Sequence, residues 1–212
     1  MRLLAGVIGR LMAAYVRLVA ATSHFDGPRI GHGQVVLAFW HEYNLVAAVA
    51  GYRLRRGSPH VSFSTQTFRG EVMNAMLASI GAGSVPLPAE GQRAEATRLS
   101  RELARLGREG ATLAVSPDGP EGPYRRAKPG ALIVARESGL PLQPWAVRAR
   151  PSIRLHRRWD HHVVPLPFGR LHVVESEPIH VGPREPIRPL LARLQSSLDD
   201  VAALADGADP RG

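Results

Sequence analysis

The segment "VVLAFWHEYNLVAA", residues 35 to 48, sets one imidazole, His41, between a β-branched apolar run and a second apolar segment with helical character. In open α/β sheets, ligands gather where a strand ends and the next helix begins. The positive end of a helix disfavours a protonated imidazole, so a ring placed there can accept a proton. His41 is therefore a candidate general base; a capping or core histidine is the alternative from the residues alone.

A second stretch could do chemistry beside it. "SPDGPEGP", from Ser116, packs three prolines and two glycines around Asp118 and Glu121, and Arg125, Arg126 and Lys128 follow. A stiff turn whose glycine amides carry no Cβ, next to cations, would suit an oxyanion or a phosphate. Equally, it would serve as a tight turn with a solvated basic flank.

Other chemistries find no support. G-x-S-x-G, P-loop, G-x-G-x-x-G and H-E-x-x-H patterns are absent. "WDHH", Trp159 to His162, contains ligand types, but neighbouring side chains diverge, so a surface loop and no metal site are expected. The chain has no cysteine, which removes thiolate metal sites and cysteine nucleophiles.

The elements that must position these residues follow from periodicity. Val35 to Trp40 reads as a buried strand and His41 to about Gly51 as a helix. His60 to Thr65 is a strand, and Met73, Met76, Leu77 and Ile80 mark the core side of a helix ended by Gly81. A helix from about Gln92 to Arg108, the strand "ATLAVS", the proline-glycine loop, the helix "ALIVARESG" and the strand "PLQPWAV" come next. "RLHVVESEPIHV" offers one or two more strands, and Arg184 to Ala205 a terminal helix broken by Pro186 and Pro189. This alternation predicts a single-domain α/β sandwich with a mostly parallel central sheet flanked by helices.

Ahead of that domain, expected over residues 26 to 206, residues 1 to 25 read as an amphipathic helix, and 207 to 212 as a frayed tail. At about 100° per residue, Arg2, Arg10 and Arg17 fall within about 80° of one another. Leu3, Leu4, Val7, Ile8, Leu11 and Val16 occupy much of the rest. Such a helix either packs on the core or docks on a membrane surface; Arg10 interrupts the apolar run that a secretory signal needs. The 212 residues carry +9 net charge, with a sequence pI near 11.2, which favours an anionic partner.

"FWHEYN", "SFSTQTFRGE", "EGQR", "SPDGPEGPYRRAKPG", "LPLQPWAV" and "WDHHVVPLPFGR" occur in an order and spacing that resembles the bacterial domain of unknown function family 374. That family looks like a branch of the lysophospholipid acyltransferase superfamily, which includes glycerol-phosphate acyltransferases. The resemblance spans about residues 30 to 180. It implies transfer of a fatty acyl group from acyl-CoA or an acyl carrier protein, as donor substrate and not cofactor, to a lipid acceptor. His41 matches the superfamily's base, and Arg93 in "EGQR" the acceptor's phosphate grip, with Lys128 beside it. Pro117, Asp118 and Gly119 match the acceptor loop, extended by Glu121 and Gly122, and amides around Gly119 and Gly122 would face the oxyanion.

The superfamily box H-x-x-x-x-D places a carboxylate five residues after the base, where this chain has Val46. Asp118 is the preferred substitute for orienting the ring, with Asn44 or a backbone carbonyl also open. Arg69 stands in "TFRGE" where relatives often carry an acid. For the first helix the expectation is peripheral docking on the cytoplasmic face of the inner membrane. Two other classes compete: a non-catalytic binder of anionic membranes, and a nucleic-acid binder using Arg148, Arg150, Arg154, Arg157 and Arg158, for which no recognised motif is present.

Overall fold

The structure, a computed structural model, describes residues 1–27, 34–54, 59–87 and 93–207. Its centre is three residues long: β2 (Val36–Ala38), buried at every position. β-Branched and apolar residues without alternation suit a strand covered on both faces, as parallel sheets require. β2 lies between β5 (Thr112–Val115) and β6 (Leu142–Arg154), parallel to both. Beyond β5 come β3 (His60–Ser64) and β4 (Gly83–Pro86), also parallel. On the other side, β6 turns back into antiparallel β7 (Val163–Glu175), which pairs in parallel with β1 (His24–Asp26). The seven-stranded order is β1-β7-β6-β2-β5-β3-β4, so the expected single α/β domain with a mostly parallel sheet is what forms.

Helices cover both faces. α1 (Arg2–Thr22), α2 (Asn44–Leu54) and α3 (Phe68–Ser79) pack together, while α4 (Arg93–Arg108) packs on α5 (Gly130–Ser138), which meets α6 (Ile187–Gly207). Thr67 caps α3 by accepting from the Gly70 amide at 3.3 Å. Gly139, in the left-handed region at φ 71°, ends α5 where the sequence pattern stops. Met76, Leu77 and Ile80 are buried, as the helical period requires.

Two expectations change. The strand begun by "PLQPWAV" does not stop there but runs on through Arg148, Arg150 and Arg154, forming a long ribbon with β7. The last helix is unbroken from Ile187 to Gly207. Pro186 precedes it and Pro189 sits in its first turn, where the missing N–H has no intrahelical acceptor to lose. Of the expected tail, 207–212, Gly207 ends this helix and the remaining residues lie outside the described residues.

α1 has two apolar faces, sorted by size. Ala5, Gly9, Ala13, Val16, Val19 and Ala20 are buried. A Cβ on Gly9 would lie 2.5 Å from the Ala75 Cβ, so small residues let α1 sit close on α3. The large side chains of Leu3, Leu4, Val7, Leu11 and Leu18 point outward, with Leu3 82% and Leu11 67% exposed.

Candidate functional site

His41 opens a 3-10 turn, His41–Tyr43, immediately past β2 and ahead of α2, at the carboxyl edge of the parallel strands. Its backbone N–H donates to Asp118 Oδ1 at 2.9 Å, and Asp118 Oδ2 accepts from the Arg125 amide at 3.2 Å. Asp118 is thus a buried clamp between the turn and the proline-glycine loop. Burial pushes its carboxyl upward, against the opposing backbone hydrogen bonds. It does not hold the imidazole, which corrects the sequence-based preference.

The ring's partner is Asp160, with Nδ1 and Oδ2 2.9 Å apart. Asp160 comes from the β6–β7 connection, in the "WDHH" stretch expected at the surface, and it is 0% exposed. Burial raises its carboxyl, but hydrogen bonds from Arg158 and His41 outweigh that and hold it well below the usual carboxylate range. An ionised carboxylate only accepts, so in the neutral ring Nδ1 is the protonated nitrogen and the lone pair lies on Nε2. Asn44, the other side-chain candidate, accepts instead from the Ser116 hydroxyl at 2.8 Å. Val46, where the superfamily box expects an acid, is core.

Asp160 is itself gripped. Arg158 reaches it through Nε to Oδ1 at 2.8 Å and Nη2 to Oδ2 at 2.9 Å, a two-pronged charge-assisted pair. His162 Nδ1 stands 3.3 Å from Oδ2. Between them His161 has φ 45° and turns to Tyr124, their ring centroids 4.5 Å apart, while Asp160 and His162 both face His41. Ligand atoms of His41, Asp160 and His162 lie within 4.8 Å of one another, the spacing of a metal site. The guanidinium on both oxygens of Asp160 argues against one, because a metal would have to displace it or face its charge. The cluster reads as a hydrogen-bonded holder for the ring.

The proline-glycine loop meets that ring edge-on. A Cβ on Gly119 would stand 2.7 Å from His41 Cδ2 and 3.5 Å from Nε2, so only glycine leaves the ring its place. Trp159 flanks the imidazole, centroids 5.0 Å apart, and a Cβ on Gly122, whose φ is 79°, would strike its ring at 2.8 Å. Lys128 donates Nζ to the Gly119 carbonyl at 3.4 Å and its own amide to the Pro117 carbonyl at 2.9 Å. Gly119 thus meets the ring on its Cα side and the ammonium at its carbonyl. The Gly119 amide, expected to face an oxyanion, is engaged by the Ser116 carbonyl at 3.1 Å. Glu121 is exposed. Arg93 begins α4, but its side chain lies outside the described residues, as does the rest of "EGQR".

Behind the site, Glu42 is fully buried and turned away from His41. Arg125 Nε approaches its Oε1 at 2.6 Å, Arg154 Nη1 pairs with Oε2, and the Tyr124 hydroxyl donates to Oε2 at 3.2 Å. These bonds tie the loop and β6 to the turn carrying His41. They also engage Arg154, as Asp160 engages Arg158, so two of the five clustered arginines serve the fold.

The site thus lies at the carboxyl edge of the parallel strands in an α/β domain, and the fold is one seen in a solved acyltransferase. The chain is similar in structure to the 1-acyl-sn-glycerophosphate acyltransferase PlsC of Thermotoga maritima, with a TM-score of 0.58 and 13% sequence identity over 95% of this chain and 81% of that one. In sequence it is 25% identical over 189 residues to an uncharacterized protein of Rickettsia prowazekii, covering 83% of this chain and 82% of the relative. No family model matches.

Proposed function

We propose that the protein is a membrane-surface acyltransferase of the domain of unknown function 374 branch. It would move a fatty acyl group from an acyl thioester, on CoA or a carrier protein, to a hydroxyl or amine of a lipid acceptor. The observation that carries this reading is the His41–Asp160 pair, set against the proline-glycine loop at the carboxyl edge of a sheet shared with an acyltransferase.

In this mechanism Nε2 of His41 takes the proton from the acceptor group as its oxygen or nitrogen attacks the thioester carbonyl. The new C–O or C–N bond forms, the tetrahedral intermediate expels the thiolate, and the imidazolium returns its proton to that sulfur. Asp160 holds the tautomer and stabilises the transient positive ring. Lys128, which reaches the Gly119 carbonyl, would serve the oxyanion or an acceptor phosphate, with Arg93 as a second grip. The ground for a non-catalytic binder was the missing acid at position 46, and Asp160 supplies a carboxylate from elsewhere in the chain.

For attachment, the outward leucines of α1 would enter the cytoplasmic leaflet while its small-residue face stays on α3. α1 is long and apolar enough to cross a membrane, yet a third of it is buried on the protein, which favours lying on the surface. The test is acyl transfer from a radiolabelled acyl-CoA or acyl carrier protein to membrane lipids by purified protein. Loss of transfer in a folded His41→Ala variant is expected; equal transfer by both forms removes the role given to this residue.

A further inference from the structure

Phe168 is 81% exposed and held at φ 61°, a conformation that bulky side chains rarely adopt. It sits on β7 between the pairings Arg150↔Arg170 and Ser152↔Pro165, where the register of the ribbon shifts. β2 pairs with β6 only over Leu142 to Pro144, so this part of the ribbon continues past β2 in the direction of His41. The Phe168 amide donates to Thr22 Oγ1 at 3.1 Å, which fixes the aromatic at the carboxyl end of α1.

We propose that Phe168 is a second membrane anchor, forming with the outer face of α1 one surface that docks on an anionic phospholipid bilayer. At about 100° per residue Leu3, Leu4, Val7, Leu11 and Leu18 fall within about 100° of arc, opposite the small buried face. Among the described residues nothing covers them, and the hydrogen bond to Thr22 places Phe168 at the end of that stripe. The charge pattern selects the occupant. Arg10 and Arg17 border the stripe, and beside Phe168 the exposed Arg150 and Arg170 are directly opposed across the strands. Like charges so placed repel unless an anion lies between or above them, and a layer of acidic headgroups supplies it.

This inference rests on the reading of the protein as working at a lipid surface, and a cysteine-free chain makes it directly testable. Single Leu11→Cys, Phe168→Cys and Leu204→Cys variants are labelled with an environment-sensitive fluorophore and mixed with phosphatidylglycerol–phosphatidylcholine vesicles. Leu204 is an exposed control on α6. Blue shifts at positions 11 and 168, none at 204, and about tenfold weaker vesicle partitioning of Phe168→Ser are expected. A shift at 11 alone overturns the second anchor and leaves the helix docked. No shift at either position overturns docking altogether, independently of the transfer assay on His41. Shifts without vesicles, accompanied by a dimer in sedimentation equilibrium, assign the surface to a second copy and overturn the proposal.

Discussion

Asp160 Oδ2 accepts a 2.9 Å hydrogen bond from the imidazole of His41, 119 residues earlier in the chain, and the same carboxylate takes both prongs of Arg158. An imidazole and the carboxylate that orients it thus come from distant parts of the chain, joined because the β6–β7 ribbon returns it to the edge where β2 ends. The guanidinium keeps the acid ionised, and the ionised acid fixes which ring nitrogen is free.

Replacing Asp160 with asparagine removes the acceptor that sets the tautomer while nearly conserving volume. kcat for acyl transfer should fall on the order of a thousandfold, with KM for the thioester little changed. Steady-state kinetics on the folded variant checks this; unchanged kcat would mean that the pair is only structural.

Gly119→Ala places a methyl 2.7 Å from His41 Cδ2, and the ring, held by Asp160, has to turn. Misplacing a reacting atom by about 1 Å costs on the order of a hundredfold in rate. That loss is expected with the melting temperature nearly unchanged, a separation that calorimetry beside the kinetic assay would reveal.

Glu42→Ala leaves the guanidinium groups of Arg125 and Arg154 partly buried without their shared acid. The expected loss of stability is roughly 3 kcal/mol, read from urea denaturation. A change below about 1 kcal/mol would show that solvent compensates the pair.

Burial lowers the proton affinity of His162 below the ordinary imidazole value of 6.5, against the opposing attraction of Asp160. The unfolded chain then takes up that proton at a higher pH than the folded one, so this contribution is intact above pH 6.5 and is lost as pH falls through and below it. Asp160, held low in the fold, keeps its own contribution until the pH drops below the ordinary carboxylate range, outside this window. The urea midpoint should therefore decline from pH 7 to pH 5, and decline less in His162→Gln. Parallel profiles for the two proteins would exclude His162 as the source.

Truncating α1 is a poor way to test membrane attachment, because its inner face is part of the core. Substituting the outward leucines isolates the surface, since Leu3 and Leu11 contribute little to packing at their exposure.

The alternation of strands and helices, the place of His41 at a strand-to-helix junction and the rigid loop after β5 were all legible in the sequence. Each depends on local period or on proline and glycine at fixed positions. What the ring touches was not. Spacing from His41 leads to Val46, and local reasoning leads to Asp118, which instead binds the backbone of the same residue. The signal for Asp160 was an acid flanked by a tryptophan and histidines in a region otherwise rich in arginine, but nothing nearby says where such a loop lands. Size sorting within α1 was likewise written in the chain as small residues at helical spacing, yet both faces are apolar, and only the close approach of Ala75 decides which turns inward. Local pattern specifies an element and its faces; the meeting of distant side chains depends on strand order and register, which emerge only when the whole sheet assembles.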